Sequence, residues 1–251
     1  MTPLDALAIF ATGLAAGTIN TVVGSGSLIT FPTLLALGYP AVLANVSNNI
    51  GLVPGSVSGV VGYRRELIGQ RGRILRLAIA SLAGGIVGAL LLLSRPGLFR
   101  QVVPVLILVA CALVIFQPRL TRRLGGRHGE DSSRIGALLM AGVLVTGIYG
   151  GYFGAAQGVI LITLLAIFLE DDLQRLNGTK NVLALLVNGV ATIVFLVRNA
   201  PVNWAVVGII AAGSIVGGQL GATVGRRLPG PALRTLIIVV GLTAATVLMV
   251  R

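Results

Sequence analysis

Between Leu4 and Tyr63 the chain carries one charged side chain, Asp5, and between Ile135 and Leu169 it carries none. Apolar stretches of that length exceed the roughly 20 residues a helix needs to cross a bilayer core. Only 10 % of the 251 residues are charged and 55 % are hydrophobic, where a soluble domain would carry roughly 25 % charged residues. The chain therefore reads as an all-α, polytopic bundle of transmembrane helices.

The formal net charge of +12 would suggest nucleic acid in a soluble protein. Here the arginines fall in short stretches between apolar runs, so membrane topology accounts for them. No basic domain or aromatic platform supports nucleic-acid binding. The first basic residue is Arg64, so the N-terminus lacks the positive start of a signal peptide and reads as structure. The single cysteine, Cys111, excludes an intrachain disulfide framework or a cysteine metal cluster. It reads as a small buried hydrophobe.

Apolar runs fall at about 4–23, 27–38, 45–63, 74–94, 99–117, 135–154, 158–169, 179–197, 201–225 and 231–250. The first five and the last five share one rhythm: long, short, long, long, long. Two local blocks repeat as well. Asn45-Val46-Ser47-Asn48-Asn49 corresponds to Asn177-Gly178-Thr179-Lys180-Asn181, and Gly84-Gly85-Ile86-Val87-Gly88-Ala89 to Gly217-Gly218-Gln219-Leu220-Gly221-Ala222, at offsets of 132 and 133 residues. The expected organisation is a first transmembrane repeat at 1–117, a polar cytoplasmic linker at 118–134 and a second repeat at 135–251.

The basic residues suggest how the halves are oriented. With five segments per half and the N-terminus outside, the stretches 64–76, 119–134, 175–180 and 226–234 share the cytoplasmic face and hold 15 of the 19 basic residues. Four crossings per half give a weaker separation. The positive-inside rule therefore favours two inverted repeats of about five segments, an architecture that recurs in transporters with a site near the midplane.

The short second run is the informative one. Residues 27–38 make about three helical turns, roughly 18 Å, well short of a hydrocarbon core of about 30 Å. Residues 4–38 are thus expected to form a broken hairpin whose tip lies inside the membrane. Residues 135–169 are expected to enter from the opposite face, with the two tips meeting near the middle.

The first tip reads Gly24-Ser25-Gly26-Ser27 and the second Ala156-Gln157-Gly158, following Gly154 and Ala155. Glycine lets the backbone turn tightly and approach a ligand. A helix that starts just after the turn presents unpaired N–H groups and a positive dipole end, which suit an anion. Ser25, Ser27 and Gln157 add side-chain donors. Asn48, Asn49, Thr179, Lys180 and Asn181 complete the candidate binding residues. Asn45, Ser47 and these residues are placed at the openings of two helices, where one per helix acts as an N-cap and the surplus faces a central cavity. Lys180 reads equally well as an anion-attracting group and as an interfacial anchor. Gly51, Gly55, Ser56, Ser58 and Gly59 read as close-packing positions, and His128 as a solvated linker residue.

All seven acidic residues lie at segment ends or in loops, so no buried carboxylate relay is expected. No zinc-hydrolase or serine-hydrolase motif is present, and neither a cofactor nor a metal is implied. The expectation is a transporter rather than an enzyme, with a passive anion channel as the nearest alternative. Its partners are a small anionic substrate and the lipid bilayer, with a homodimer as an open assembly. Membrane potential favours outward movement of one negative charge by about 2.3 kcal/mol per 100 mV.

The run Gly24-Ser25-Gly26-Ser27-Leu28-Ile29-Thr30-Phe31-Pro32-Thr33-Leu34, the later Asn177-Gly178-Thr179-Lys180-Asn181-Val182-Leu183 and the Gly-Gly-x-x-Gly-Ala blocks resemble the TauE/SafE family of membrane proteins. The resemblance covers almost the whole chain. It implies a secondary transporter in the cell (inner) membrane that exports small sulfur oxyanions: sulfite, sulfoacetate or related organosulfonates. A carrier for another small anion is the alternative within this class. Two features depart from the family pattern. Ala155, Ala156 and Gln157 occupy the second turn, and Thr163 stands at the position aligned with Pro32.

Overall fold

A computed structural model of the chain describes residues 1–124 and 132–224, together with Thr235 and Val239. The described residues form α1 (Pro3–Val22), α2 (Ser27–Ala36), α3 (Ala41–Gly62), α4 (Arg71–Ser94), α5 (Pro96–Leu124), α6 (Ser132–Tyr152), α7 (Gln157–Phe168), α8 (Leu173–Val197) and α9 (Trp204–Thr223). No strand occurs among them. The tenth apolar run, 231–250, lies outside the described residues except for Thr235 and Val239, and so does His128. Helix extends into the stretch 118–134 from both sides, since α5 runs to Leu124 and α6 begins at Ser132.

Helices α1, α4, α5, α8 and α9 contain segments long and apolar enough to cross a membrane. Helix α3 has the length, with 22 residues, but carries Asn45, Ser47, Asn48, Asn49, Ser56 and Ser58. Those polar side chains face protein, and all but Asn49 are buried. Helices α2 and α7 have 10 and 12 residues, roughly 15 and 18 Å at 1.5 Å per residue. Both are half-length elements, as the hairpin expectation requires.

The helix starts correct one expectation. Helix α3 is preceded by Pro40 and α8 by Asp172, whose side chain accepts from the Gln174 N–H. The Asn45–Asn49 and Asn177–Asn181 blocks therefore lie a turn inside their helices, and none of their residues is an N-cap. The physical reason is local. Proline is tolerated at a helix start because it lacks an N–H that would be unsatisfied there, and Asp172 supplies its own cap.

The packing exchanges elements between the two halves. Helix α1 lies along α9, α6 lies along α4, and α3 and α8 touch across the centre. Small residues permit the close approaches. A Cβ added at Gly84 would lie 2.8 Å from the Ile148 nitrogen, and one at Gly217 would lie 2.9 Å from the Leu14 carbonyl carbon. The two repeated glycine blocks thus perform the same task against α6 and α1. Gly51, Gly55 and Gly59 of α3 pack against Ile210, Ser214 and Thr21, as the close-packing reading expects. Cys111 is buried and unpaired.

Candidate functional site

The first helix of each hairpin ends in the same way. The N–H groups of Val23 and Gly24 donate to Ile19 O, and those of Phe153 and Gly154 donate to Tyr149 O. Gly24 and Gly154 both have positive φ, 92° and 78°, so each first helix ends on a left-handed glycine. Equating the glycines pairs Thr33 with Thr163, and each hydroxyl bonds four residues back, to Ile29 O and Val159 O. In this register Ile162, not Thr163, stands where the first half has Pro32.

The tips meet. The Gly158 N–H donates to Gly24 O at 2.9 Å, and neither glycine has room for a Cβ. Gly26 packs on Ala16 and Asn20. Ala156, at φ 60°, precedes α7. Gln157 folds its amide over Gly150, where a Cβ would lie 2.5 Å from Oε1. Ser27 opens α2 and is half-buried.

Two polar groups at the tips lack partners. Ser25 is 0 % exposed and Gln157 3 % exposed, yet Ser25 Oγ and Gln157 Nε2 make no hydrogen bond. An unsatisfied buried donor costs about 1–3 kcal/mol, so two at adjoining turns constitute a specific feature.

Beside them, Thr21 O near the end of α1 is approached by three donors: Asn177 Nδ2, Lys180 Nζ and Asn181 Nδ2, each at 3.2 Å. A carbonyl oxygen has two lone pairs, so three donors crowd it; Asn177 Nδ2 also donates to the Tyr63 hydroxyl at 2.7 Å. Lys180 Nζ also donates to Asn20 O at 3.2 Å. Lys180 is 0 % exposed, and no carboxylate lies within ion-pair distance of it among the described residues. The negative end of the α1 dipole is what its charge faces. Asn177 Oδ1 is a buried acceptor without a partner.

The remaining candidates do other work. Asn48 accepts from the Thr30 hydroxyl, Asn49 bonds Asn188 and Thr192 across α3 and α8, and Thr179 donates to Gln70 at the start of α4. Ser47 accepts from the Asn203 N–H at the start of α9, which mirrors Thr179. Asn45 donates to Tyr152 O at the end of α6, which mirrors Asn177. The blocks fasten each half to the other half's hairpin and fourth helix, and only the second block adds a charge. Asn20, Thr21 and Tyr63 escaped the sequence reading. Two of them act through backbone carbonyls, which leave no trace in residue type.

An aromatic cluster joins α2, α5 and the end of the first helix of the second hairpin. Phe31 and Phe153 meet edge-on at 5.2 Å, and Phe99 meets Tyr152 at 5.4 Å and Phe153 at 6.0 Å. The Tyr149 hydroxyl donates to Ala155 O at 2.6 Å and braces the second turn.

Comparison with known proteins accords with this architecture. The family model described as "Sulfite exporter TauE/SafE" matches residues 9–248. The chain belongs to the TauE/SafE family. A relative from Haemophilus influenzae, named "Probable membrane transporter protein", is 30 % identical over 237 residues, covering 91 % of this chain and 90 % of its own. The "Probable membrane transporter protein YfcA" of Escherichia coli K12 is 26 % identical over 251 residues, covering 96 % and 88 %. A Sinorhizobium protein, "Probable membrane transporter protein ORF9", is 26 % identical over 240 residues, covering 94 % and 89 %. No solved structure matches the chain significantly. This TauE/SafE chain is accordingly a multi-pass membrane transporter.

Proposed function

We propose that the chain is a secondary transporter, not an enzyme, that exports small sulfur oxyanions such as sulfite, sulfoacetate or related organosulfonates. The observation that carries this reading is the donor surplus at the tips. Ser25 Oγ and Gln157 Nε2 have no acceptor, and three donors share Thr21 O. A ligand rich in acceptor oxygens and carrying negative charge supplies what the protein lacks. Lys180 contributes a further buried donor, whereas the first-turn N–H groups of α7 are already engaged, Gln157 by Gly154 O, Gly158 by Gly24 O and Val159 by Ala156 O. The sulfur in the cargo comes from the family's description; the anionic character comes from the site.

Repeats at 1–117 and 135–251, joined by a cytoplasmic linker at 118–134, account for the exchanged packing. In this reading the N-terminus is outside, the repeats are inverted and the tips lie near the midplane. The paired bonds of Asn45 with Tyr152 and of Asn177 with Thr21 support it. Rocking of one repeat against the other then opens the site to alternate faces, and membrane potential drives the anion outward.

The test is titration of purified protein with sulfite, sulfate, thiosulfate, sulfoacetate, taurine and chloride, paired with flux in vesicles. Saturable, counterflow-competent efflux that follows an imposed potential is expected, with sulfite or a sulfonate as the tightest ligand. Flux that ignores potential but follows an imposed pH gradient would overturn the driving force. Single-channel currents would make the protein a pore.

A further inference from the structure

Two cavities of similar size lie at helix ends. One, of about 500 Å³, lies between the ends of α3 and α9 and is lined in part by Gly62, Arg64, Arg65, Glu66, Gln219 and Thr223. The other, of about 470 Å³, lies between the ends of α4 and α8 and is lined in part by Leu90, Ser94, Arg198 and Asn199. Both fall in the range of small-molecule sites, roughly 300–1,000 Å³. Equivalent elements build them, because α3 with α9 in one corresponds to α8 with α4 in the other.

Each cavity is lined by arginine that follows a large buried ring in the sequence. Arg64 and Arg65 are exposed and follow Tyr63, which is 1 % exposed; Arg198 is exposed and follows Phe195, which is 0 % exposed. The other polar groups of the first cavity are committed elsewhere. Gln219 Nε2 donates to Ser58 O and Oγ at 2.9 and 3.0 Å, and the Thr223 hydroxyl donates to Gln219 O at 2.7 Å. Among the described lining residues, the guanidinium groups of Arg64 and Arg65 are the side-chain donors besides these, and Glu66 is the carboxylate on the wall. Tyr63, next to Gly62 and Arg64 of the lining, is linked to the centre. The Tyr63 hydroxyl accepts from Asn177 Nδ2 at 2.7 Å, and Asn177 reaches Thr21 O, beside Lys180 and the tips.

We propose that the two cavities are weak electrostatic binding stations for a small oxyanion at opposite ends of one pathway. Tyr63 separates the first from the central site, and Phe195 holds the equivalent place beside the second. The proposal rests on the reading of the centre as an anion site. Arginine suits the task because it stays charged and offers a planar fork of donors to oxyanions. Loose, solvated stations gather the anion by steering while leaving affinity to the centre.

The test uses full-length protein in a Cys111→Ala background with reporters Thr223→Cys in the first cavity and Ala200→Cys in the second. Each reporter is reacted with an anionic and a cationic methanethiosulfonate reagent, with sulfate as competitor. The anionic reagent is expected to react about tenfold faster than the cationic one, and sulfate is expected to slow it. Arg64→Gln with Arg65→Gln should abolish the preference at Thr223→Cys alone, and Arg198→Gln at Ala200→Cys alone. A preference near one, or one indifferent to the arginines, overturns the proposal. Protection by vesicles of anionic phospholipid but not by sulfate also overturns it, assigning the cavities to lipid headgroups. Failure of the central reading looks different: sulfite and sulfonates do not bind, or Gln157→Ala binds normally, while both reporters keep their anion preference.

Discussion

The N–H of Gly158 donates to the carbonyl oxygen of Gly24 at 2.9 Å, so the two hairpin turns touch backbone to backbone. A methyl group at Gly24 would lie 2.6 Å from the Gly158 carbonyl carbon. Gly24→Ala is expected to be the harsher substitution, since it combines overpacking of about 1–3 kcal/mol with a left-handed backbone costing about 1–2 kcal/mol. Gly158→Ala meets the first penalty only. Thermal unfolding in detergent should rank them in that order, with transport lost in both.

Ser25→Ala and Gln157→Ala should separate stability from function. Each removes a buried polar atom that has no partner, so Ser25→Ala is expected to be as stable as the parent or more so, while in Gln157→Ala that gain is set against the cavity left over Gly150. Binding of the best anion should weaken by about tenfold, the value of one hydrogen bond to a charged ligand. Calorimetric melting and equilibrium titration on the same samples check both. Normal binding in both variants would remove the tips from the site.

Lys180→Met should keep the fold and lose the anion. Thr21 O retains Asn177 and Asn181, Asn20 O alone gives up its Lys180 bond, and methionine fills a buried space without a charge to solvate. The expected result is a near-parental melting temperature with anion affinity down more than about tenfold, because a charged partner contributes roughly 1.5–3 kcal/mol. A large stability loss with unchanged affinity would make Lys180 an anchor of α1 instead.

Asp171 ties the start of α4 to the start of α8. It accepts from Arg73 at 2.7 Å and Arg175 at 2.8 Å. Desolvation raises its pKa, but the Arg73 hydrogen bond, the Asp172 N–H and the Arg175 charge together outweigh this and hold it below its ordinary 3.8. A depressed carboxylate stabilises the fold above its unfolded pKa, and that contribution fades as pH falls through the folded value. Asp171→Asn should therefore lower the melting temperature at neutral pH, by less than about 1 kcal/mol in stability for so exposed a cluster. The difference should vanish at about pH 2. Unfolding scans across that range give the answer.

Glycines that look alike in the sequence should behave in opposite ways. A Cβ at Gly189 or Gly208 meets nothing, whereas one at Gly217 meets Leu14 and Thr18 backbone. Gly189→Ala and Gly208→Ala should stabilise their helices by about 0.5–1 kcal/mol, while Gly217→Ala pushes α9 off α1 and destabilises. Melting temperatures of the three variants settle the comparison.

The short runs after Gly24 and Gly154 were legible because their length alone forbids a crossing, and a left-handed glycine is a local signal. The Asn blocks were legible as unusual but not as what they are. Their partners, Tyr152 O for Asn45 and Thr21 O for Asn177, lie more than 100 residues away and are backbone atoms common to every residue.

Hydropathy, charge placement and glycine spacing by themselves determined a polytopic helical bundle with two broken hairpins, since each depends only on neighbours along the chain. The tertiary structure decided the rest. It brought Gly24 onto Gly158, crowded three donors around Thr21 O, and left Ser25 and Gln157 without acceptors. Those are balances of donors against acceptors in a volume shared by both halves, and a count of that kind exists only once the helices have packed.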